Sequence, residues 1–347
     1  MLNFVLLIAE WYRQTARNLP WRQTKNPYKI WLSEVILQQT RVEQGMPYYL
    51  KFTENFPTVI DLANAEEEIV LKNWQGLGYY SRARNLHAAA KMIRDEYHGD
   101  FPYSYKDILK LKGVGEYTAA AVASFAFDLP HAVVDGNVYR VLSRFYDIDT
   151  PIDSTEGKKL FYNLANELLL KEDPALFNQA MMEFGAMQCV PVNPDCGNCP
   201  VRPECLGYRN GTVSIRPVKA KKTKVTDRHF YYMVFHNDHQ LVLKKRGPKD
   251  VWQGLYDFPL IESPSGLDEG EYDAVLGISL SQVKKQHKTK HILSHQRIFA
   301  TFLYLDFLPE RTFWKEDWEL AEWSELERYP LPRIIERYLK DDLKALD

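Results

Sequence analysis

Four residues carry the plainest chemical signal in the chain: Cys189, Cys196, Cys199 and Cys205, the only cysteines among 347 residues. Their spacing, C-x6-C-x2-C-x5-C, gathers every thiol into one short stretch. In a chain with no secretory features, that pattern reads as a metal site rather than as paired disulfides. Four thiolates suit structural zinc and an iron–sulfur cluster alike, so the spacing leaves both open. Glu34 is the second candidate, because it interrupts the apolar run PYKIWLSEVILQQTRV, where Trp31, Leu32, Val35 and Ile36 crowd it. A carboxyl partly buried there would have a raised pKa, as a general acid near neutral pH requires. The alternative is a carboxylate turned to solvent. Asp135, in HAVVDGNVYRVLSR, follows three apolar residues and precedes Gly136 and Asn137. By itself it reads as the cap of the helix that starts there.

These residues need elements to hold them. Up to about residue 206 the pattern is helical, with EEEIVLKNW, ARNLHAAAKMIRDEY and KKLFYNLANELLL placing apolar residues three and four apart. Within it, LKLKGVGEYTAAAVASFAF reads as a helix ending near Lys112, a tight turn at Gly113-Val114-Gly115, and an alanine-rich helix starting around Tyr117. Glycines in such a turn let the backbone approach a ligand closely, and a following helix N-terminus favours a phosphate oxygen. After Pro217 short β-rich runs take over, HFYYMVFH, QLVLKKR and IFATFLYLDF. The expected architecture is multidomain, an all-α first half followed by an α+β domain.

Composition sets limits. The hydrophobic fraction is 45% and the charged fraction 26%, ordinary for a globular protein long enough for at least two cores. The net charge of −2 argues against a uniformly basic nucleic-acid binder, but its distribution is uneven. Residues 207–228 hold seven Lys or Arg and one Asp, so the basic charge sits in the connector between the halves. The apolar run LNFVLLIA near the start lacks a basic flank and a cleavage site, and no stretch reaches the roughly 20 apolar residues of a membrane span. A cytoplasmic enzyme is the expectation.

Taken together, these motifs resemble the endonuclease III superfamily of helix-hairpin-helix DNA glycosylases, and within it the MutY-type adenine glycosylases. The similarity runs over residues 21–339. It implies a [4Fe–4S] cluster on the four cysteines, a backbone-clamping hairpin at Gly113 and Gly115, a catalytic aspartate at Asp135, and Asn137 beside it among the DNA-binding residues. The run containing Glu34 is similar to the family motif in which this glutamate protonates adenine N7, and Gln38, Gln39 and Thr40 match its DNA-inserting element. Tyr79, in GLGYYSRARNLH, matches a tyrosine that stacks in the opened helix. Tyr117 joins the catalytic set: it stands where bifunctional relatives carry a lysine that attacks the sugar, which implies a monofunctional enzyme.

The second half resembles a Nudix fold without its box: no G-x5-E-x7-R-E-x2-E-E pattern occurs. HILSHQRIF is similar to the F-S-H loop that recognises 8-oxoguanine through Ser294 and His295, although Leu293 stands where the family has Phe. From sequence alone that pair would be unremarkable surface. The resemblance further implies a cluster-bearing helical domain from 1–22 and 132–210, a six-helix domain over 23–131, a connector over 211–228 and a lesion-recognition domain over 229–347. Its implied partner is double-stranded DNA with A:8-oxoguanine or A:G mispairs, bound by a monomer. The rival readings are a bifunctional glycosylase/lyase, a Nudix hydrolase, and a non-catalytic iron–sulfur DNA-binding protein.

Overall fold

The computed structural model describes residues 2–220 and 225–343. Backbone contacts divide the chain into two units, Met1–Ala63 with Ala88–Lys222 and Asn64–His87 with Thr223–Asp347. Lys221, Lys222 and Lys224, which supply much of the charge of the 211–228 connector, lie outside the described residues, as do the last four residues of the 229–347 segment. The described part of the connector is tied to the first unit, where Ile152 donates to the Val218 carbonyl and the Ala220 amide to Asp153.

Among the described residues of the first unit every regular element is helical. Helix Leu2–Thr15 buries Phe4, Val5 and Ile8 against Val138, Leu142 and Phe145 of helix Gly136–Phe145 and Phe177 and Phe184 of helix Pro174–Met187. The start of the chain is thus built into a core made largely by residues after 132. Helix Glu116–Phe127 is buried on nearly all sides, from Thr118 to Phe125. Its alanines, Ala119, Ala120, Ala121 and Ala123, let helices Pro27–Ile36, Tyr105–Lys110 and Pro174–Met187 pack closely around it. It begins at Glu116, and the preceding helix ends at Lys110, each within two residues of the boundaries read from sequence.

Among the described residues the second unit holds seven strands: β1 (Thr226–Phe235), β2 (Gln240–Lys245), β3 (Tyr256–Asp257), β4 (Leu260–Ser263), β5 (Lys285–Ile292), β6 (Gln296–Leu305) and β7 (Trp318–Glu322). They form a four-stranded sheet, β4-β1-β6-β5, and a three-stranded sheet, β3-β2-β7. β1 and β6 run parallel and the other pairs antiparallel. The three apolar runs read from sequence are β1, β2 and β6; β3, β4, β5 and β7 were not legible. Residues 64–87 belong to this unit. There Glu68 accepts from Lys245 Nζ at 2.5 Å and from the Tyr256 hydroxyl at 2.8 Å, and Arg84 donates to the Gln253 carbonyl at 2.6 Å.

Candidate active site

Helix Pro27–Ile36 starts with a proline at its first position and an Asn26 side chain that accepts from the Lys29 amide. With both ends of the helix apolar and packed, Glu34 is carried into the interior and is 6% exposed. The hydroxyl of Tyr117, from helix Glu116–Phe127, donates to Glu34 Oε2 at 2.6 Å. Burial pushes the Glu34 carboxyl up to about 7; the Tyr117 hydrogen bond pulls against this, Asp135 adds to it, and Arg22 opposes it. Burial likewise holds the Tyr117 hydroxyl well above its ordinary value, so it stays a neutral donor.

Asp135 opens into the same cleft, which Glu34 and Tyr117 also line. It caps helix Gly136–Phe145: its Oδ1 accepts from the Asn137 and Val138 amides at 2.9 and 2.8 Å, and its Oδ2 from Asn137 Nδ2 at 2.7 Å. Burial raises its pKa, and the donors from Val138 and Asn137 counter part of that rise. Capping and presentation to the cleft are therefore compatible, where sequence had set one against the other. A protonatable carboxyl and a donor-held carboxylate share one cavity, the pairing that glycosidic bond cleavage uses.

The cleft contains a group that the sequence reading missed. Glu183 is 1% exposed and accepts from Arg17 Nε and NH2 at 2.8 and 2.7 Å and from Arg22 NH2 at 2.7 Å. Burial opposes its ionisation, but the two guanidiniums outweigh it and hold the carboxyl down at about 2. Two arginines and a glutamate separated by some 160 positions give no local pattern, so no signal in the sequence points to them.

Beneath Asp135 lies the cysteine loop. Arg140 donates to Asn137 Oδ1 at 2.7 Å, to the Gly185 carbonyl at 2.6 Å and to the Cys189 carbonyl at 2.7 Å. Arg144 donates to the Val190 and Pro191 carbonyls at 2.7 and 2.9 Å and approaches Cys189 Sγ at 3.5 Å. Gly185 is required here, because a Cβ would lie 2.6 Å from Asn137 Cβ. The four cysteines line one cavity with Arg144, Phe145 and Phe184. Four thiols lining one cavity are a donor set that suits an iron–sulfur cluster and structural zinc alike.

Of the residues read as DNA-facing, Gln39 is exposed with φ +56°, and Gln38 donates to Thr118 Oγ1 at 3.2 Å. Thr40 lines the cleft. Gly113, at φ +75°, and Gly115 are exposed in the turn before helix Glu116–Phe127. Tyr79, Ser294 and His295 belong to the other unit. Tyr79 is 48% exposed at φ +49°, with the Arg82 guanidinium 5.6 Å from its ring. Ser294 and His295 are exposed in the β5–β6 turn, with Ser294 Oγ 3.1 Å from His295 Nδ1. Leu293 is half-buried and its amide closes the turn onto the Gln296 carbonyl.

Residues 32–166 match the model of the HhH-GPD superfamily of base excision DNA repair proteins, and residues 230–341 match a NUDIX domain. An adenine DNA glycosylase of Buchnera aphidicola subsp. Baizongia pistaciae is 34% identical over 309 residues, covering 88% of this chain and 86% of that one. Another, from Buchnera aphidicola subsp. Acyrthosiphon pisum, is 30% identical over 99% of this chain and 98% of its own. Among solved structures, a thermostable thymine-DNA glycosylase aligns with a TM-score of 0.56 and 31% identity over 60% of this chain and 96% of that one. The likeness to the Buchnera proteins extends through both units, and the chain belongs to the adenine DNA glycosylase family of the HhH-GPD superfamily.

Proposed function

We propose that the protein hydrolyses the N-glycosidic bond of adenine mispaired with 8-oxoguanine, or with G, in double-stranded DNA, and that it acts as a monomer. The observation that carries this reading is the buried Glu34, titrating near neutrality under the Tyr117 hydroxyl, in one cleft with the helix-capping Asp135. Adenine in a duplex cannot offer N7 and C1′ to these groups together, so the nucleotide must be extruded, at a cost of a few kcal/mol. Gln38, Gln39 and Thr40 would fill the gap, and the 113–115 turn would hold the backbone through its amides.

In the extruded state Glu34 delivers its proton to N7, so that adenine departs neutral. Asp135, oriented by Asn137 and Val138, stabilises the oxocarbenium-like sugar, and water completes hydrolysis. Tyr117 has no amine with which to open the sugar. The product is accordingly an intact abasic site. Cys189, Cys196, Cys199 and Cys205 would hold a [4Fe–4S] cluster, which when bound supplies a rigid, charged anchor for the loop 189–205. Ser294 and His295 would read the 8-oxoguanine, and Tyr79 would stack in the opened helix.

The test is single-turnover cleavage of duplexes with A opposite 8-oxoguanine, G or T, each sample split and half treated with alkali. Alkali-dependent breaks at A opposite 8-oxoguanine and G support the reading; their absence from both would end it.

A further inference from the structure

The four-stranded sheet of the second unit has two unlike faces. One buries Phe230, Tyr232, Ile298, Ala300 and Phe302. On the other, the β5–β6 register sets Lys288 opposite Thr301, Lys290 opposite Phe299 and Ile292 opposite Arg297, and β1 continues the rows with Tyr231, His229 and Asp227. One end of that face is closed, where Tyr272 and Leu276 pack on Tyr231, Met233 and Leu303. The end nearest the 293–295 turn is open. Lys288, Lys290 and Arg297 are exposed there, Ile292 is 70% exposed, and Phe299 and His229 are stacked at 5.1 Å, half-buried beneath them.

Of the cations on this patch, Arg297 is paired internally and the two lysines are not. Asp227 is taken up by Arg297, which it meets at 2.6 and 2.8 Å. Among the described residues no carboxylate comes within ion-pair distance of Lys288 or Lys290; Lys290 Nζ instead sits 5.2 Å over the Phe299 ring. Lys285 and His287, on the opposite face of the strand, are the ones that meet Asp342. β5 is the edge of its sheet, and its lysines stand two residues apart, so about 6.6–6.8 Å separates successive ammonium positions along one row. The strand then runs straight into Ser294 and His295.

We propose that this open half-face is where the second unit seats the phosphodiester backbone of duplex DNA, with Lys288 and Lys290 each neutralising a phosphate and thereby delivering the Ser294–His295 turn to the base opposite the adenine. The proposal rests on the reading of duplex DNA as substrate, and its partner is identified by charge complementarity and by continuity with the turn. Edge lysines also guard sheets against pairing with other chains, and that role makes a different prediction.

The experiment measures affinity of the full-length protein for A:8-oxoguanine, A:G and undamaged duplexes as a function of salt, comparing wild type with K288Q/K290Q, K288R/K290R and S294A/H295A. Each phosphate contact contributes about 0.9 to the slope of log affinity against log salt. Loss of both should flatten the fall between about 50 and 200 mM salt by roughly 12-fold, equally for all three duplexes. The arginine pair should restore the slope. An unchanged slope in K288Q/K290Q, with or without new self-association, overturns the proposal and leaves the lysines as edge guards. A change confined to the A:8-oxoguanine duplex overturns it too, by making the lysines part of lesion reading. If instead the slope flattens while S294A/H295A leaves discrimination between mispairs intact, the seat stands and the reading of the turn fails.

Discussion

The Tyr117 hydroxyl and Glu34 Oε2 lie 2.6 Å apart, and the tyrosine is the donor. Because a donated hydrogen bond favours the charged carboxylate, Tyr117 moderates a pKa that burial has driven to about 7. The Glu34 pKa is thus set by two opposed effects, and each can be moved separately.

Above pH 7 excision should slow by about tenfold per pH unit, since the acid form of Glu34 is then the minor one. Tyr117→Phe removes the moderating donor, so the alkaline limb should move to higher pH. Single-turnover rates from pH 5.5 to 9.5 would show it. A limb that stays put, or moves to lower pH, would mean that the hydrogen bond does not govern Glu34.

The same burial has a stability signature. The folded pKa of Glu34, about 7, exceeds its ordinary 4.5, so the native state binds this proton more tightly than the unfolded chain. Its stabilisation is fully present below pH 4.5 and is lost as pH rises through 7, amounting to about 3 kcal/mol. Glu34→Gln should therefore gain on wild type between pH 5 and 8 in urea unfolding midpoints. Parallel pH profiles for the two proteins would contradict the burial argument.

Glu34→Gln and Asp135→Asn should each reduce excision by about 10²–10⁴-fold while mispair binding persists, because the proposed mechanism sets both carboxylates on the bond being broken. Near-normal single-turnover rates in either variant would remove that residue from the mechanism. Strand breaks should in every case wait for alkali, and efficient borohydride trapping of the wild type would contradict the absence of an attacking amine at Tyr117.

How much of this could be read from the sequence follows from how local each signal is. The cysteines, the 113–115 turn and the placing of Glu34 in an apolar helix are patterns over a few residues, and the helices around them follow from spacing. Glu183 with Arg17 and Arg22 is assembled from distant segments and has no such trace. β5, whose residues KQHKTKHI alternate between exposed and half-buried, carries no apolar stripe because it lies at a sheet edge, and its strand state is fixed by pairing with β6. Residues 64–87 read as one more helical stretch, yet their partners are Lys245, Gln253 and Tyr256, far along the chain.

Arg140 is where the cysteine loop meets Asp135. It holds the Cys189 carbonyl with one nitrogen and the Asn137 side-chain oxygen with another, and Asn137 in turn donates to Asp135. Arg140→Lys cannot span those acceptors with a single ammonium. Excision should fall by up to about 10²-fold through misplacement of Asp135, with iron and sulfide content retained. A variant that loses its iron in step with activity would place Arg140 in holding the loop rather than in orienting the carboxylate.

The last prediction concerns which base the second unit reads. Ser294 and His295 are exposed side by side in a turn closed by Leu293, with the serine hydroxyl within reach of the imidazole. A pair held in this way can offer a donor and an acceptor to an oxidised purine while its backbone remains fixed by the strands on either side. Replacing both by Ala should therefore slow adenine removal opposite 8-oxoguanine more than opposite G. The differential should be about 5- to 150-fold if one buried polar contact worth about 1–3 kcal/mol is lost. Leu293→Phe probes the apolar buttress independently: if the turn's shape controls recognition, it changes the same ratio without altering either polar group. Equal slowing on both mispairs in the double variant would show that the turn supports the fold and that the oxidised base is read elsewhere.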